Sequence, residues 1–459
     1  MSAAEQDLGV ALAAYVEELS FADLEPATIE RSKQAVLDII GIAMRARYEA
    51  PSSMAIHSGV ASLGSAGTCT AIGWGNSCAP QAAALLNAAN AHSLEFDDTH
   101  EAALIHPGAP VVAAALAAVE NRNASGATLL TAIVAGYDVA VRLSLGAGAA
   151  ALWRRGFSPT PVCGGFGATA AAARARGAPA SELANAFGIH LGQTGGSTQY
   201  AENGAWTHAL QVGFAAHNAI VADRFAALGV IGPTHPLEGA AGLLHSYTDG
   251  GDPTLVMDAW DHRHEIERTG FKPYPSCRYT HGAIDVIGDL VRELDLRPEE
   301  IGAIRVGLST KAVGWVGGDE SHKRAPRTIG DAQFSAYFCA ALAALKGTLI
   351  WDDYRDLGDE GILQMAKRVA VIPDPRADAL EPQLVTFVEL EARGETHART
   401  SLFARGAPER ALGWDDVSAK FESLTRPMRS KAWCARTISL VRGLDAAASV
   451  RVLTAELGT

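Results

Sequence analysis

The chain has 459 residues, 48% hydrophobic and 19% charged, with a formal net charge of −13. That length exceeds one ordinary core and predicts two lobes, and the apolar content excludes a disordered chain. The acidic balance argues against a broad nucleic-acid-binding or anionic-membrane surface, so an anionic substrate must meet a local cluster of Lys and Arg.

Six cysteines (Cys69, Cys78, Cys163, Cys277, Cys339, Cys434) stand apart with no C-x-x-C, as in a reduced intracellular chain without structural zinc. The opening MSAAEQDLGV has early acids and no basic, apolar leader pattern, which predicts a cytoplasmic protein. Residues 1–267 read as helices separated by Gly and Pro. In PATIERSKQAVLDIIGIAMRA, Ile29, Ala35, Val36, Ile39 and Ile40 recur at helical spacing. PQAAALLNAANAHSLEF predicts a helix with Pro80 near its start. APVVAAALAAVENRNASG predicts another, with Gly126 as its stop. Small residues dominate these helices, so their axes can approach closely. The most apolar long stretch, LLTAIVAGYDVAVRLSLGAGAAALW, carries Asp138 and Arg142 and reads as a buried helix, not a membrane span. Thr207 is placed to cap a helix starting at His208.

The texture changes near Tyr274. IGAIRVGLS alternates Ile304, Val306 and Leu308 as a strand should, and RVAVIPDP is a short apolar run ended by Pro. QLVTFVELEARGETHARTSLFAR predicts two strands joined around Arg393-Gly394-Glu395, and DAQFSAYFCAALAALKG a helix between strands. Residues 268–405 therefore form an α+β segment, and 406–459, with GWDDVSAKFESL, return to helix.

No P-loop, H-E-x-x-H or G-x-S-x-G occurs. GFGATA matches G-x-G-x-x-A at Gly165, Gly167 and Ala170, but it follows a Pro-broken loop where a dinucleotide site needs a strand. These glycines read as helix-packing positions.

Four segments carry candidate chemistry. EFDDTHEAALIHPGAP, from Glu95 to Pro110, gathers three acids with His100 and His106. Asp97, Asp98, His100 and His106 are acceptable metal ligands, but their spacing fits no defined pattern, and adjacent residues on a helix point about 100° apart. Asp97 and Asp98 suit capping and backbone hydrogen bonds. His106 precedes Pro107, which disfavours helix there, so it belongs in a turn between two helices, facing a cleft or buried and satisfied. In FKPYPSCRYTHGAID, Pro273 and Pro275 make a rigid extended segment, and Thr280 is placed to cap the next helix, whose apolar face is Ile284, Ile287, Val291 and Leu294. Lys272, Arg278 and His281 then gather at a helix N-terminus, a candidate carboxylate site or an ordinary solvated hinge. LWRRGFSPTPVCGGFGATAAAARARG and STQYAENGAWTHALQVGFAAHNA are weaker alone.

Together and in this order, these segments resemble the MmgE/PrpD family, which includes 2-methylcitrate dehydratases, cis-aconitate decarboxylases and iminodisuccinate epimerases. The matching stretches are HSLEFDDTHEAALIHPGA, FSPTPVCGGFGATAAAA, NGAWTHALQVGFAAHNA, KPYPSCRYTHGAID, DAQFSAYFCAALA and DDVSAKFESL, across nearly the whole chain. The resemblance implies a mainly α protein: a large all-helical domain formed by both chain ends, with an inserted α+β lid domain and the active site between them. It implies a homodimer needing no cofactor and no metal. Family roles carry over to Glu95, Thr99 and His106, and to Lys272. A histidine moves a proton beside a carboxylate, while Lys or Arg holds carboxylates and spreads enolate charge.

Two departures stand out. Family dehydratases and decarboxylases usually carry a histidine where this chain has Ser158. They usually carry a Lys, then a His three residues on, where it has His208 and Gln211. The first expectation is thus a cofactor-independent lyase on a small di- or tricarboxylate, a dehydratase before a decarboxylase. His106 is the main proton-transfer group, with Lys272 and His208 as further catalytic candidates. Glu95, Thr99, Arg278, Tyr279 and Ser158 are the substrate-binding candidates. The second is an isomerase or epimerase with a base on each face, His106 opposite His208 or Lys272. The third is a non-catalytic polycarboxylate-binding protein. No reading calls for nucleic acid or membrane.

Overall fold

The computed structural model describes residues 7–257, 263–318 and 321–458, without the side chains at 76 and 77. Met1–Gln6, in the opening read above as leader-free, lie outside the described residues. The chain divides into two compact units. One holds the described residues up to Thr269 and those from Gly413 onward, and the other is Gly270–Leu412. The return to the first unit comes at Gly413, later than the expected 406.

The first unit runs through α1 (Leu8–Glu18), α2 (Pro26–Glu49) and α3 (Ser53–Ser62), a hairpin of β1 (Ala66–Ala71) and β2 (Gly75–Cys78), and α4 (Pro80–His92). It continues with α5 (Gly108–Asn121), α6 (Gly126–Ala147), α7 (Ala149–Arg154), α8 (Pro159–Arg176), α9 (Ala180–Leu191) and α10 (Thr207–Ala227). Two short helices follow, α11 (Leu243–Tyr247) and α12 (Pro253–Met257).

The sequence signals locate α2, α4, α5, α6, α8 and α10, with local corrections. The helix α4 ends at His92, so Ser93–Phe96 lie in a loop. Gly126 starts α6 instead of ending α5. Ser125 caps that start by accepting from the Thr128 amide at 3.2 Å. A Cβ at Gly126 would lie 1.8 Å from the Leu444 carbonyl oxygen, so glycine serves close approach here. Thr207 is the first residue of α10, and the cap position falls on Trp206, which makes no side-chain cap.

The helix α6 is long and apolar enough to cross a membrane, yet it is almost wholly buried within its own unit. It meets α8 at two glycines. A Cβ on Gly167 would stand 2.3 Å from the Gly136 carbonyl oxygen, and one on Gly165 would stand 2.4 Å from His190 Nε2. The GFGATA stretch is thus the interior of a packed helix.

The hairpin has no counterpart in the sequence reading. Buried polar groups tie it to α4 and α5. Asn87 donates to the Thr70 carbonyl at 2.9 Å and accepts from the Ile72 amide at 2.8 Å. Glu120 accepts from the Thr70 amide at 2.7 Å and its hydroxyl at 2.6 Å.

The second unit contains α13 (His281–Glu293), β3 (Ile301–Leu308), α14 (Thr310–Val316), α15 (Ser321–Arg324), α16 (Ile329–Gln333), α17 (Ala336–Lys346) and α18 (Glu360–Ala366). It closes with β4 (Val369–Pro373), α19 (Pro375–Asp378), β5 (Thr386–Ala392) and β6 (Glu395–Ser401). The four strands form one mixed sheet in the order β4-β3-β5-β6, with β3 and β4 parallel. Alternation works as expected: Ile304, Val306 and Leu308 face the core from β3, and Thr386, Val388, Leu390 and Ala392 from β5. Arg393 (φ 54°) and Gly394 (φ 83°) turn β5 into β6, the two positive φ values a tight hairpin needs.

The helices α20 (Trp414–Thr425), α21 (Lys431–Arg442) and α22 (Arg451–Leu457) rejoin the first unit. There α20 packs on α2. Lys420 Nζ sits 2.6 Å from Asp38 Oδ1 with both side chains buried, and Phe421 fills the space over Gly41.

Glycines at close approaches and glycines in open space should respond oppositely to one methyl group. Gly167→Ala is expected to lower stability by about 1–3 kcal/mol, because backbone must move. Gly59→Ala, in α3 with nothing within 4 Å of the added carbon, is expected to raise it by up to about 1 kcal/mol. Urea unfolding of both variants checks the pair, and equal signs would contradict the packing described.

Candidate functional site

The loop between α4 and α5 carries the first candidate site. It cannot be helical throughout, because Pro107 follows His106 and Glu95 and Leu104 adopt positive φ (52° and 48°). Its tip is closed by a backbone bridge between His100 and Ile105.

Asp98 fastens the loop. Its Oδ1 accepts from the Gly108 amide at 2.9 Å, at the start of α5, and its Oδ2 from the Tyr137 hydroxyl at 2.6 Å, on α6. Burial pushes this carboxyl up to about 7, against the pull of the Tyr137 bond. Lys420 Nζ donates to the Phe96 carbonyl at 2.8 Å, which ties the loop to the C-terminal return. His100 accepts from the Ala103 amide at 3.1 Å and turns its Nε2 to Glu265, 3.3 Å away. Asp98 and His100 therefore point to separate partners, and the four metal-ligand candidates do not converge on one point.

His106 sits between the helices as expected, with its side chain 21% exposed. Its Nδ1 lies 2.7 Å from the Asp98 carbonyl oxygen and 3.2 Å from Thr99 Oγ1. A carbonyl only accepts, so Nδ1 carries the proton and Nε2 keeps a lone pair. That is the tautomer a general base requires. Thr160 anchors the backbone by accepting from the His106 amide at 3.1 Å.

Asp97 is fully buried and faces two imidazoles. Its Oδ2 is 2.6 Å from His92 Nδ1, and its Oδ1 is 3.8 Å from His106 Nδ1. His92 Nε2 in turn lies 3.1 Å from Nε2 of His208. The ring centroids of His92 and His106 are 5.4 Å apart, and those of His92 and His208 are 4.5 Å apart. Burial, and then any positive charge on neighbouring His92, pushes His208 down to about 3, so it is neutral at ordinary pH. Tyr200 covers the His208 ring at 4.5 Å between centroids, and burial followed by the charge of Glu95 raises its hydroxyl well above the usual range.

Sequence reasoning brought His106, Thr99 and His208 forward, and the first unit gathers all three around a residue it overlooked, His92. The sequence reading ran this helix on to Phe96 and so left His92 inside it, whereas the helix ends there. Its separation from Asp97, one tight turn past a helix end, is the signal that was available. Glu95 is buried beside this group. Ser158 is buried at the cap position of α8, two residues before Thr160, with its amide donating to the Gly196 carbonyl at 2.8 Å. Gln211, one turn along α10 from His208, donates to the Ser197 carbonyl at 3.0 Å. It lines a cavity of about 190 Å³ with Pro161, His190, Gln193, Phe214 and Asn218.

The second unit holds the other candidates. Lys272 is fully buried in the extended Pro-rich segment. Tyr354 donates to the Pro275 carbonyl at 2.7 Å. Tyr274 donates to Asp285 Oδ1 at 2.7 Å, and the Arg405 amide to Asp285 Oδ2 at 2.6 Å. Arg278 braces the same turn: its guanidinium donates to the carbonyls of Arg405 (2.9 Å) and Ala404 (3.3 Å) and meets His281 Nδ1 at 3.0 Å. His281 donates from Nε2 to the Ser276 carbonyl at 3.1 Å. Arg278 and His281 are thus held by backbone carbonyls and by each other. Thr280 occupies the cap position of α13, but its hydroxyl bonds to Ser276 and the Cys277 carbonyl, so it does not cap the helix as expected. Tyr279 is half-buried in the same turn.

His190 offers a pH test of the first unit. Burial pushes its imidazole down to about 4, below an unfolded value of roughly 6.5, so the unfolded chain binds the proton more readily. Stability should be full above about pH 6.5 and fall toward pH 4, by on the order of 2–3 kcal/mol. His190→Gln should flatten that limb in urea unfolding measured between these pH values. An unchanged slope would refute the buried neutral ring.

A family model described as the MmgE/PrpD N-terminal domain matches residues 10–256, and one described as the MmgE/PrpD C-terminal domain matches residues 274–446. A cis-aconitate decarboxylase-like protein of Aspergillus oryzae is 26% identical over 375 residues, 77% of this chain and 76% of its own length. The cis-aconitate decarboxylase of Homo sapiens is 26% identical over 457 residues, 95% of this chain and 91% of its own. With a family model matched in each of its two compact units, the chain belongs to the MmgE/PrpD family.

Proposed function

We propose that the protein is a lyase of small di- or tricarboxylates, working by proton transfer at a carbon beside a carboxylate without a cofactor. The observation that carries this reading is the tautomer of His106: Nδ1 is committed to the Asp98 carbonyl, 2.7 Å away, which leaves Nε2 as a base. In this reading Thr99 keeps the ring oriented, and Lys272 binds a substrate carboxylate and spreads enolate charge. The relatives named as cis-aconitate decarboxylases make aconitate-like acids the first substrates to test. Loss of water or of CO2 is the finer choice, and Ser158, His208 and Gln211 are the positions on which it turns.

A second reading, epimerisation of a dicarboxylate, draws on the pairing of His208 with His92 beside His106, since a two-base reaction needs a second imidazole. Proton NMR in deuterated water over citrate-like, aconitate-like and aminodicarboxylate acids separates the two. A lyase loses water or CO2, whereas exchange at the α-carbon alone would transfer the assignment to an epimerase. Tight binding with no turnover of any acid would indicate a binding protein. His106→Ala is expected to lower kcat by about 10²–10⁴-fold on whichever acid is turned over, and unchanged turnover would remove His106 from the site.

We also propose a homodimer. Phe214, Phe225 and Leu228 are exposed along one face of α10 and its end, with Ile231 just beyond, the kind of apolar surface that a second copy would cover. Light scattering should give twice 47.9 kDa, and a monomer at micromolar concentration would refute it.

A further inference from the structure

Resting on the reading of a proton-transferring polycarboxylate enzyme, we propose that Asp97 and His92 are positioning residues that hold His208 as a second acid–base group, through a relay running Asp97–His92–His208. The family resemblance assigns no role to His92, and His208 stands where the family usually has a lysine.

With Asp97 ionised and His92 neutral, the contacts fit one set of tautomers, which is the resting state of the proposed relay. A carboxylate accepts, so His92 carries its proton on Nδ1, 2.6 Å from Asp97 Oδ2. The His92 Nε2 lone pair then accepts from His208 Nε2 at 3.1 Å. His208 is left with its lone pair on Nδ1. Asp97 and His92 are both almost fully buried, at 0% and 2% exposure, so water competes little for either bond.

The step balances. As a substrate C–H bond breaks, His208 Nδ1 takes the proton, and the electron pair stays on the substrate as an enolate. The Nε2 proton of His208 passes to His92 Nε2. The positive charge then rests on His92 beside the Asp97 carboxylate, and reprotonation of the substrate reverses the path. Burial makes His208 by itself a weak base. Moving the charge one ring inward, to a carboxylate, removes that penalty. The ionisable groups facing the pair are Glu95, Asp97 and His106 from the loop and Tyr200 from the segment before α10.

The test uses the full chain with ¹⁵N-labelled histidine. NMR of the resting protein should show His208 protonated at Nε2 and bare at Nδ1, with His92 protonated at Nδ1. In His92→Gln the amide oxygen still accepts from His208, so the His208 tautomer should persist. That variant cannot carry the proton, so kcat should fall about 10²-fold with KM within about threefold. Asp97→Asn should lower kcat similarly and displace the acid limb of the pH–kcat profile. A merely structural His92 would let His92→Gln keep its activity, which overturns the relay, as does His208 protonated at Nδ1. Loss of activity in His106→Ala with none in His92→Gln sinks the relay and leaves the lyase reading standing. If the wild type turns over no polycarboxylate, the functional reading fails, and the tautomer pattern is still decided by NMR.

Discussion

The candidate site depends on one buried carboxylate. Asp98 accepts a backbone amide from the start of α5 and a hydroxyl from α6, so a single side chain closes the loop over two helices. Burying a carboxylate is costly unless its oxygens are satisfied, and here each has a short donor. The same residue presents its main-chain carbonyl to His106 Nδ1. Loop closure and imidazole tautomer are thus set by two ends of one amino acid. Lys420 strengthens the arrangement from the far end of the sequence, pairing with Asp38 while donating to Phe96.

Asp97 shows how neighbours in sequence come to do different work. In the loop, Asp98 turns toward the helices and Asp97 toward the imidazoles. One carboxylate then serves His92 directly and lies near His106. The second unit solves a comparable problem with opposite charge. Its Pro-rich segment is stiff, and Asp285, Arg278 and the carbonyls at 404–405 brace it. Arginine suits that task because its planar fork reaches several carbonyls at once.

Much of this was legible in the sequence. Helical spacing marked α2 and period-two alternation marked β3, because each signal reports one buried face, while proline, apolar content and the Arg393-Gly394 turn marked α4, α5, α6 and the β5–β6 pair. His106 stood out through chemistry, since a proline after it forbids helix and leaves a turn. The failures share a different cause. Gly126 was taken for a stop, yet it is a start, crowded by Leu444 from more than three hundred residues away. Thr207 and Thr280 looked like caps because local patterns cannot tell where a hydroxyl finds its nearest acceptor. His92 was hidden inside a helix read as running to Phe96, when it is that helix's last residue.

By itself the sequence determined where several of the main helices and the strands of the mixed sheet run, where the texture changes from helical to mixed, and which loop carries His106. These follow from periodicity and backbone sterics, which act over a few residues. Only the tertiary structure decided that His92 links Asp97 to His208, that Arg278 is engaged by backbone carbonyls, and that two glycines let α6 and α8 touch. Those facts rest on hydrogen bonds and contacts between residues far apart in the chain, whose strength falls away within an ångström or two of the right distance. Spacing along a sequence does not contain that information.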